Sequence, residues 1–408
     1  MSVSENAEQA VSLYLHFPFC VRKCRYCDFL SGPAGETERK RYLHALETEL
    51  EKTAEEITDK ESGGTLPVDT VFLGGGTPSL LSGEELQELL QTVRMWYDVR
   101  PEAEITMECN PGTAGLEALC AYRKAGVNRL SIGVQSFRDE ELRILGRIHD
   151  SRQAKECFYQ AREAGFTNIS LDLMSALPGQ TMETWLYSLS EAAALGPEHI
   201  SAYSLILEEG TELYRMAEQG SLPPLPEEVL DRDMYHRTKT FLAEHGYHRY
   251  EISNYAREGF ESRHNSGYWT GHPYLGFGTG AASYWKGMRW SHTRQLAAYC
   301  ERLEQARSRK ELLTMPWQDL ADEALYEDIE QLSPEDQMEE FMFLGLRRME
   351  GVSAEEFQIR FGVSLESVYG AVLRRYRELG LLKEGRGRVA LTDAGVDVSN
   401  TVMADFLL

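Results

Sequence analysis

The chain lacks the marks of several protein classes. No apolar run reaches the roughly 18–20 residues of a membrane span. The first ten residues, Met1 to Ala10, are polar and acidic, with no secretory hydrophobic region. Basic charge is scarce: 42 Lys and Arg stand against 65 Asp and Glu, for a net charge of −23. Nucleic acid and anionic membranes need clustered cations, so neither is expected as a general partner. Cysteine is sparse too, 7 in 408 residues. An odd number with three crowded together does not suggest a disulfide framework, and a reducing, cytoplasmic home is the expectation. There is no internal repeat and no low-complexity segment. What remains is an ordinary globular composition, 42% hydrophobic and 26% charged, long enough for one large domain and a smaller one.

The three crowded cysteines are Cys20, Cys24 and Cys27, spaced C-x3-C-x2-C. They follow the apolar run Val11-Ser12-Leu13-Tyr14-Leu15, which reads as a strand, so they sit on the loop leaving it. Thiolates are the usual protein ligands of iron–sulfur clusters. Three on one loop can hold three irons of a cubic 4Fe–4S cluster and leave the fourth open to a small molecule. The competing readings are a structural zinc site and buried thiols. Structural zinc wants four closed ligands, often as two C-x2-C knuckles, and no second knuckle is present. Cys109, Cys120, Cys157 and Cys300 are scattered singly and read as core residues.

Six strand patterns alternate with helical ones, beginning with the cysteine strand. The strands are centred on Val11–Leu15, Thr70–Leu73, Glu104–Cys109, Arg129–Val134, Asn168–Met174 and His199–Leu205. A long helix about Glu36 to Ile57 is broken at Glu61-Ser62-Gly63-Gly64. This alternation predicts α/β architecture with a parallel sheet and right-handed crossovers. Six units fall short of the eight of a closed barrel, so an open (βα)6 partial TIM barrel is expected. In such folds chemistry gathers at the carboxyl ends of the strands. The cysteines, Gly74-Gly75-Gly76-Thr77, Glu108, Gln135 and Asp172 all fall at or near those ends. A glycine triplet lets a backbone approach a ligand closely, although alone it is more often a plain turn.

Beyond residue 245 the pattern changes. Tyr250 to Trp290 is rich in aromatics and glycine, and Met315 to Ser333 reads as a boundary. Pro334 to Leu408 shows three helical patterns, a hairpin-like stretch from Leu381 to Leu391 and a last helix, which together resemble a winged-helix module. The division expected is a core over 1–245, an extension over 246–332 and a C-terminal winged-helix-like domain over 333–408.

C-x3-C-x2-C after a first strand, with an aromatic at Tyr26, resembles the radical S-adenosylmethionine (SAM) superfamily. The flanks Tyr14-Leu15-His16-Phe17-Pro18-Phe19 and Cys27-Asp28-Phe29 are similar to its coproporphyrinogen-dehydrogenase branch, and within it to a heme-chaperone group. The resemblance implies a 4Fe–4S cluster on Cys20, Cys24 and Cys27 with SAM on the open iron. It implies that Gly75, Gly76 and Thr77 receive the methionine amino group. Glu108, Gln135, Arg147 and Asp172 are implied as further SAM contacts, with Tyr14 and Tyr26 packed beside cluster and adenine. Chemically, carboxylates accept hydrogen bonds from an ammonium or a ribose, and Arg147 can pair with a carboxylate. His264-Asn265-Ser266-Gly267-Tyr268-Trp269 matches an H-N-x-x-Y-W pattern that the chaperone group links to heme, which makes His264 a candidate heme ligand. A histidine in a satisfied hydrogen bond is the equal competitor. His16 is read as structural.

Two functions follow from the resemblance. One is a heme chaperone that binds heme and delivers it to acceptor proteins such as respiratory enzymes, with an electron donor serving the cluster and a dimer as assembly. The other is an oxygen-independent coproporphyrinogen III dehydrogenase. That enzyme resembles C-x3-C-x2-C-x-C, and the last cysteine position is Phe29 here. The chaperone is therefore favoured, and no catalytic residue is assigned. One departure from the chaperone pattern is Ala282, where histidine is common in that group.

Overall fold

The computed structural model describes residues 10–57, 65–305 and 325–408. The Glu61–Gly64 break, the residues before Ala10 and the first half of the Met315–Ser333 boundary lie outside them. Strands β1 (Val11–Phe17), β2 (Pro67–Gly75), β3 (Asp98–Cys109), β4 (Arg129–Gln135), β5 (Ile169–Ser175) and β6 (His199–Ser204) pair in sequence order, all parallel. Helices α1 (Glu36–Ile57), α2 (Gly83–Trp96), α3 (Leu116–Ala125), α4 (Asp139–Leu145), α5 (Ser151–Glu163) and α6 (Met182–Leu195) fill the crossovers. This is the expected (βα)6 core. Its strands are nearly continuous apolar runs because helices cover them, as a parallel sheet requires.

The helices start where the chain supplies caps. Ser82 and Glu85 form a reciprocal capping box on α2, Asp150 and Gln153 on α5, and Thr181 and Thr184 on α6. Helix α2 then buries Leu86, Leu89, Leu90 and Val93, the i, i+3, i+4, i+7 stripe of an amphipathic helix.

The sheet does not end with six strands. Beyond α7 (Glu212–Glu218) and α8 (Glu228–Glu244), β8 (Asn254–Ala256) pairs antiparallel with β6, and β7 (His248–Arg249) pairs antiparallel with β8. After α9 (Arg263–Thr270), β9 (Tyr274–Phe277) returns to the other edge and pairs parallel with β1. Strands β10 (Ala282–Trp285), β11 (Met288–His292) and β12 (Tyr326–Gln331) follow antiparallel. The result is a 12-stranded sheet in the order β12-β11-β10-β9-β1-β2-β3-β4-β5-β6-β8-β7. The aromatic and glycine-rich region is thus built into both edges of the sheet. The second half of the expected boundary holds β12, the outermost strand of one edge.

A second core belongs to the C-terminal segment, around Met342, Phe357, Tyr369, Leu373 and Phe406. Its helices, Pro334–Gly345, Ala354–Phe361 and Leu365–Glu378, lead into a β-hairpin of Leu382–Gly385 and Arg388–Leu391. Two short helices, Asp393–Asp397 and Ser399–Ala404, take the place of the single last helix expected.

One buried polar cluster ties the added strands to the core. Glu49 on α1 is fully buried. It accepts a hydrogen bond from Gly278 N at 2.8 Å and another from the Tyr299 hydroxyl at 2.5 Å, and its other oxygen lies 2.5 Å from His292 Nε2. Removing one partner of a buried polar cluster strands the others without water. Glu49→Ala is expected to cost about 3 kcal/mol of stability, read as a lowered thermal unfolding midpoint, with Glu49→Gln milder. An unchanged midpoint for Glu49→Ala would show that this cluster does not hold the edge strands.

Candidate functional site

The cysteine loop is anchored at both ends and in the middle. Cys20 N donates to Gly32 O, and Gly32 N donates back to Pro18 O, both at 2.9 Å. Arg25 N bonds Leu145 O at 3.0 Å, and Leu213 N bonds Arg25 O at 2.8 Å. The loop is therefore clamped between the end of α4 and the start of α7. All three thiols are free and partly exposed. Cys20 Sγ accepts from Thr77 Oγ1 at 3.4 Å, and Cys24 Sγ from Arg147 Nη1 at 3.6 Å. Among the described residues no group of three His, Cys, Asp or Glu side chains converges as a single metal ion needs.

Beside the loop, Gly76 N donates to Phe17 O at 2.8 Å. A Cβ on Gly76 would lie 2.7 Å from Phe19 O and 2.8 Å from Phe17 O, so only glycine fits against the cysteine strand. Gly75 adopts φ 110°, a left-handed conformation that glycine takes without strain. Its N–H donates to Glu108 Oε2 at 3.0 Å. Burial, with a smaller push from Asp172, raises the Glu108 carboxyl to about 7. Asp172 is raised as well, chiefly by burial, although Ser131 Oγ donates to it at 3.1 Å and Ser170 Oγ at 3.3 Å.

Gln135 ends β4 with φ 68°, a conformation costly for a residue with a side chain. Its Oε1 accepts from the Tyr203 hydroxyl at 2.9 Å, which fixes the amide. Arg147 joins several elements: Nη2 reaches Asn110 Oδ1 at 2.6 Å and Gly133 O at 2.5 Å, and Nη1 reaches the Tyr26 hydroxyl at 3.3 Å. Its Nε is buried with no hydrogen-bond partner among the described residues. Asn110 and Tyr203 escaped the sequence reading. The available signal was position: Asn110 directly follows β3, and Tyr203 lies near the end of β6.

These residues surround one cavity of about 580 Å³ at the carboxyl ends of the strands. Cys20, Cys24 and Cys27 line it, as do Tyr26, Gly75, Gly76, Thr77, Glu108, Gln135, Arg147 and Asp172. The thiol donors on one wall, the glycine cradle, the unpartnered Arg147 Nε and the two carboxylates fit a cluster with a zwitterionic ligand beside it.

Two expected residues stand elsewhere. Tyr14 does not line this cavity; its hydroxyl pairs with His16 Nδ1 at 3.0 Å and its ring stacks on Phe72. It supports the glycine triplet from behind, since Gly74 sits against it. His16 is structural as expected, its other nitrogen 3.0 Å from Leu30 O. His264 is also absent from the cavity wall, where its neighbour Asn265 stands. His264 is 1% exposed on α9, with Nδ1 2.7 Å from Thr70 Oγ1 and Nε2 2.9 Å from the Tyr268 hydroxyl. Burial, and behind it the charge of Arg129, holds this imidazole neutral, down to about 3. Both ring nitrogens are occupied, so in this arrangement His264 offers no lone pair to an iron. Tyr268 and Trp269 of the same motif face a second opening of about 250 Å³ between α9, the added strands and the C-terminal segment. Tyr268, Trp269, Tyr274, Arg289 and Arg360 line that opening. Cys120, expected in the core, is exposed.

Residues 14–192 match the Radical SAM superfamily model, and residues 332–398 match the HemN C-terminal domain model. A curated relative, the heme chaperone HemW of Bacillus subtilis, is 38% identical over 97% of this chain and 99% of its own. HemW of Lactococcus lactis is 36% identical over 97% of both chains. Among solved structures, the Escherichia coli coproporphyrinogen III oxidase HemN, a radical SAM enzyme, superposes with a TM-score of 0.80. That likeness covers 99% of this chain and 91% of that one at 23% identity, and establishes the shared fold. With full-length identity to curated members on both counts, this chain belongs to the HemW family within the radical SAM superfamily.

Proposed function

We propose that this protein is a heme chaperone, which binds heme and passes it to acceptor proteins, and which carries a 4Fe–4S cluster and SAM in the cavity described above. The observation that carries the reading is its 38% identity, across 97% of the chain, to a curated heme chaperone. Cys20, Cys24 and Cys27 would hold the cluster, whose open iron and single electron are the chemistry it supplies when SAM is bound. The chain's own residues prepare the surroundings. Gly75 and Gly76 bring backbone close to the ligand without a side chain in the way. Glu108 would accept from the methionine ammonium, and Asp172, steadied by Ser131 and Ser170, would accept from ribose hydroxyls. Arg147 ties the loop to β3 and β4 through Tyr26, Asn110 and Gly133, and so fixes the wall against which the ligand lies. No helix of the described residues is long and apolar enough to cross a membrane. A cytoplasmic location suits the three free thiols.

For heme, the arrangement favours the aromatic and cationic lining of the second opening over the His264 imidazole. Tyr268 and Trp269 offer flat apolar surface and Arg360 a partner for a carboxylate, while Arg289 is paired with Glu340 at 2.6 Å in the same lining. His264 acts as a support that holds α9 against Thr70.

Glu108 must lose a proton to meet an ammonium. A buried carboxyl raised to about 7 is mostly protonated at pH 6 and mostly ionised at pH 8. SAM affinity of the cluster-loaded protein is therefore expected to rise roughly tenfold from pH 6 to pH 8, and Glu108→Gln to flatten that profile. Calorimetric titration at several pH values reads this, and a pH-independent affinity in the unaltered protein would contradict it.

Heme binding separates the two candidate sites. Trp269→Ala is expected to weaken heme uptake at least tenfold by visible absorption, while His264→Asn, which keeps a polar partner for Thr70, retains most of it. Cys24→Ala should lose the brown cluster absorption and keep heme. Loss of heme binding in His264→Asn, with Trp269→Ala unaffected, would return the ligand role to His264.

A further inference from the structure

Two cysteines that the proposed cluster does not use meet inside the protein. Cys109, the last residue of β3, and Cys157, on the buried face of α5, are each 3% exposed. Their sulfurs are 3.9 Å apart. Neither is in a disulfide. We propose that this pair is a redox modification site, which peroxide closes to a disulfide and so alters the SAM end of the barrel apart from any effect on the cluster.

Three observations carry the proposal. First, proximity: a disulfide needs its sulfurs at about 2.05 Å, so side-chain rotation with a small helix shift closes the gap. Second, access and reactivity. Cys109 lines the large cavity, which a molecule as small as peroxide enters. Its thiol is held below the ordinary range by hydrogen bonds from Cys157 first and Ser79 as well, whereas Cys157 is pushed up. The pair therefore divides into an attacking thiol and a resolving one. Third, consequence: Cys109 precedes Asn110, whose N–H bonds Ser79 Oγ at 3.0 Å and whose Oδ1 holds Arg147 at 2.6 Å. Arg147 in turn touches Cys24 and Tyr26. A new bond at Cys109 thus pulls on the wall that carries the cysteine loop.

The chemistry balances. The Cys109 thiolate attacks one peroxide oxygen, the O–O bond breaks, hydroxide leaves, and a sulfenic acid forms. Cys157 gives up its proton and attacks the Cys109 sulfur, the S–O bond breaks, and a second hydroxide leaves. With two protons taken up, two thiols and one hydrogen peroxide become one disulfide and two waters. Thiols of this kind in a reducing compartment act as transient sensors rather than as structural links. The effect on SAM rests on the function proposed above; formation of the bond does not.

The test uses cluster-loaded protein, kept anaerobic and given graded hydrogen peroxide, then quenched with catalase, alkylated under denaturing conditions and digested. Mass spectrometry is expected to find the Cys109–Cys157 cross-linked peptide at doses that leave the exposed Cys120 largely alkylatable. In Cys157→Ser, and in Cys157→Ala should the first fold poorly, Cys109 should instead advance to sulfinic acid. With the cluster absorption unchanged, SAM affinity should fall at least threefold in the cross-linked protein, recover with dithiothreitol, and hold in peroxide-treated Cys157→Ala. Cys109 and Cys157 that both stay alkylatable after Cys120 is oxidised would overturn the proposal. A cross-link that forms with SAM affinity unchanged would overturn its regulatory half. Failure of SAM to bind even the untreated protein would count against the proposed function instead, and leave the mapped bond standing.

Discussion

The site depends first on how tightly one loop is held. A backbone held in place lowers the ordering cost of gathering three thiols on one cluster, and several neighbouring elements hold this one. Gly32 closes the base of the loop, the ends of α4 and α7 clamp Arg25 in its middle, and Gly76 presses against the strand that leads into it. An open sheet of parallel strands makes this arrangement natural. All six strands release their loops on the same side, and a barrel left unclosed leaves room between them.

Burial then sets the electrostatics. Glu108 and Asp172 both line the cavity, and burial is the largest cause of the upward shift of each carboxyl. Arg147 orders the wall through its terminal nitrogens, which reach Tyr26, Asn110 and Gly133, and keeps its Nε for a ligand. The same rule explains His264. An imidazole sealed from solvent with both nitrogens hydrogen-bonded is a strut, and its neutral state costs nothing further.

Much of this was legible in the sequence. Parallel strands buried on both faces write themselves as apolar runs, which is why β1, β2, β4, β5 and β6 appear near their observed positions. The polar, exposed first half of β3, Asp98 to Glu102, carries no such run and was missed. Strands β9 to β12 are short and mix aromatic with polar residues, and nothing local says that β9 pairs with β1 some 260 residues earlier. The cysteine spacing and strand-end positions located most of the cavity. Orientation was not legible. The inward turn of His264, the retreat of Tyr14 behind Gly74 and the meeting of Cys109 with Cys157 each depend on packing between elements far apart in the chain. Arg147 came through family resemblance alone, because an arginine after a short helix has no local signature of its partners.

A fold shared with coproporphyrinogen III oxidase is proposed here to serve heme delivery. The direct measurement is anaerobic. Cluster-loaded protein is given SAM, a strong reductant and coproporphyrinogen III, and protoporphyrin is assayed after oxidation, while a parallel sample receives heme and its visible spectrum is recorded. The account predicts stable heme uptake and no protoporphyrin. Protoporphyrin formed over many turnovers would make the protein an enzyme of tetrapyrrole synthesis and contradict it.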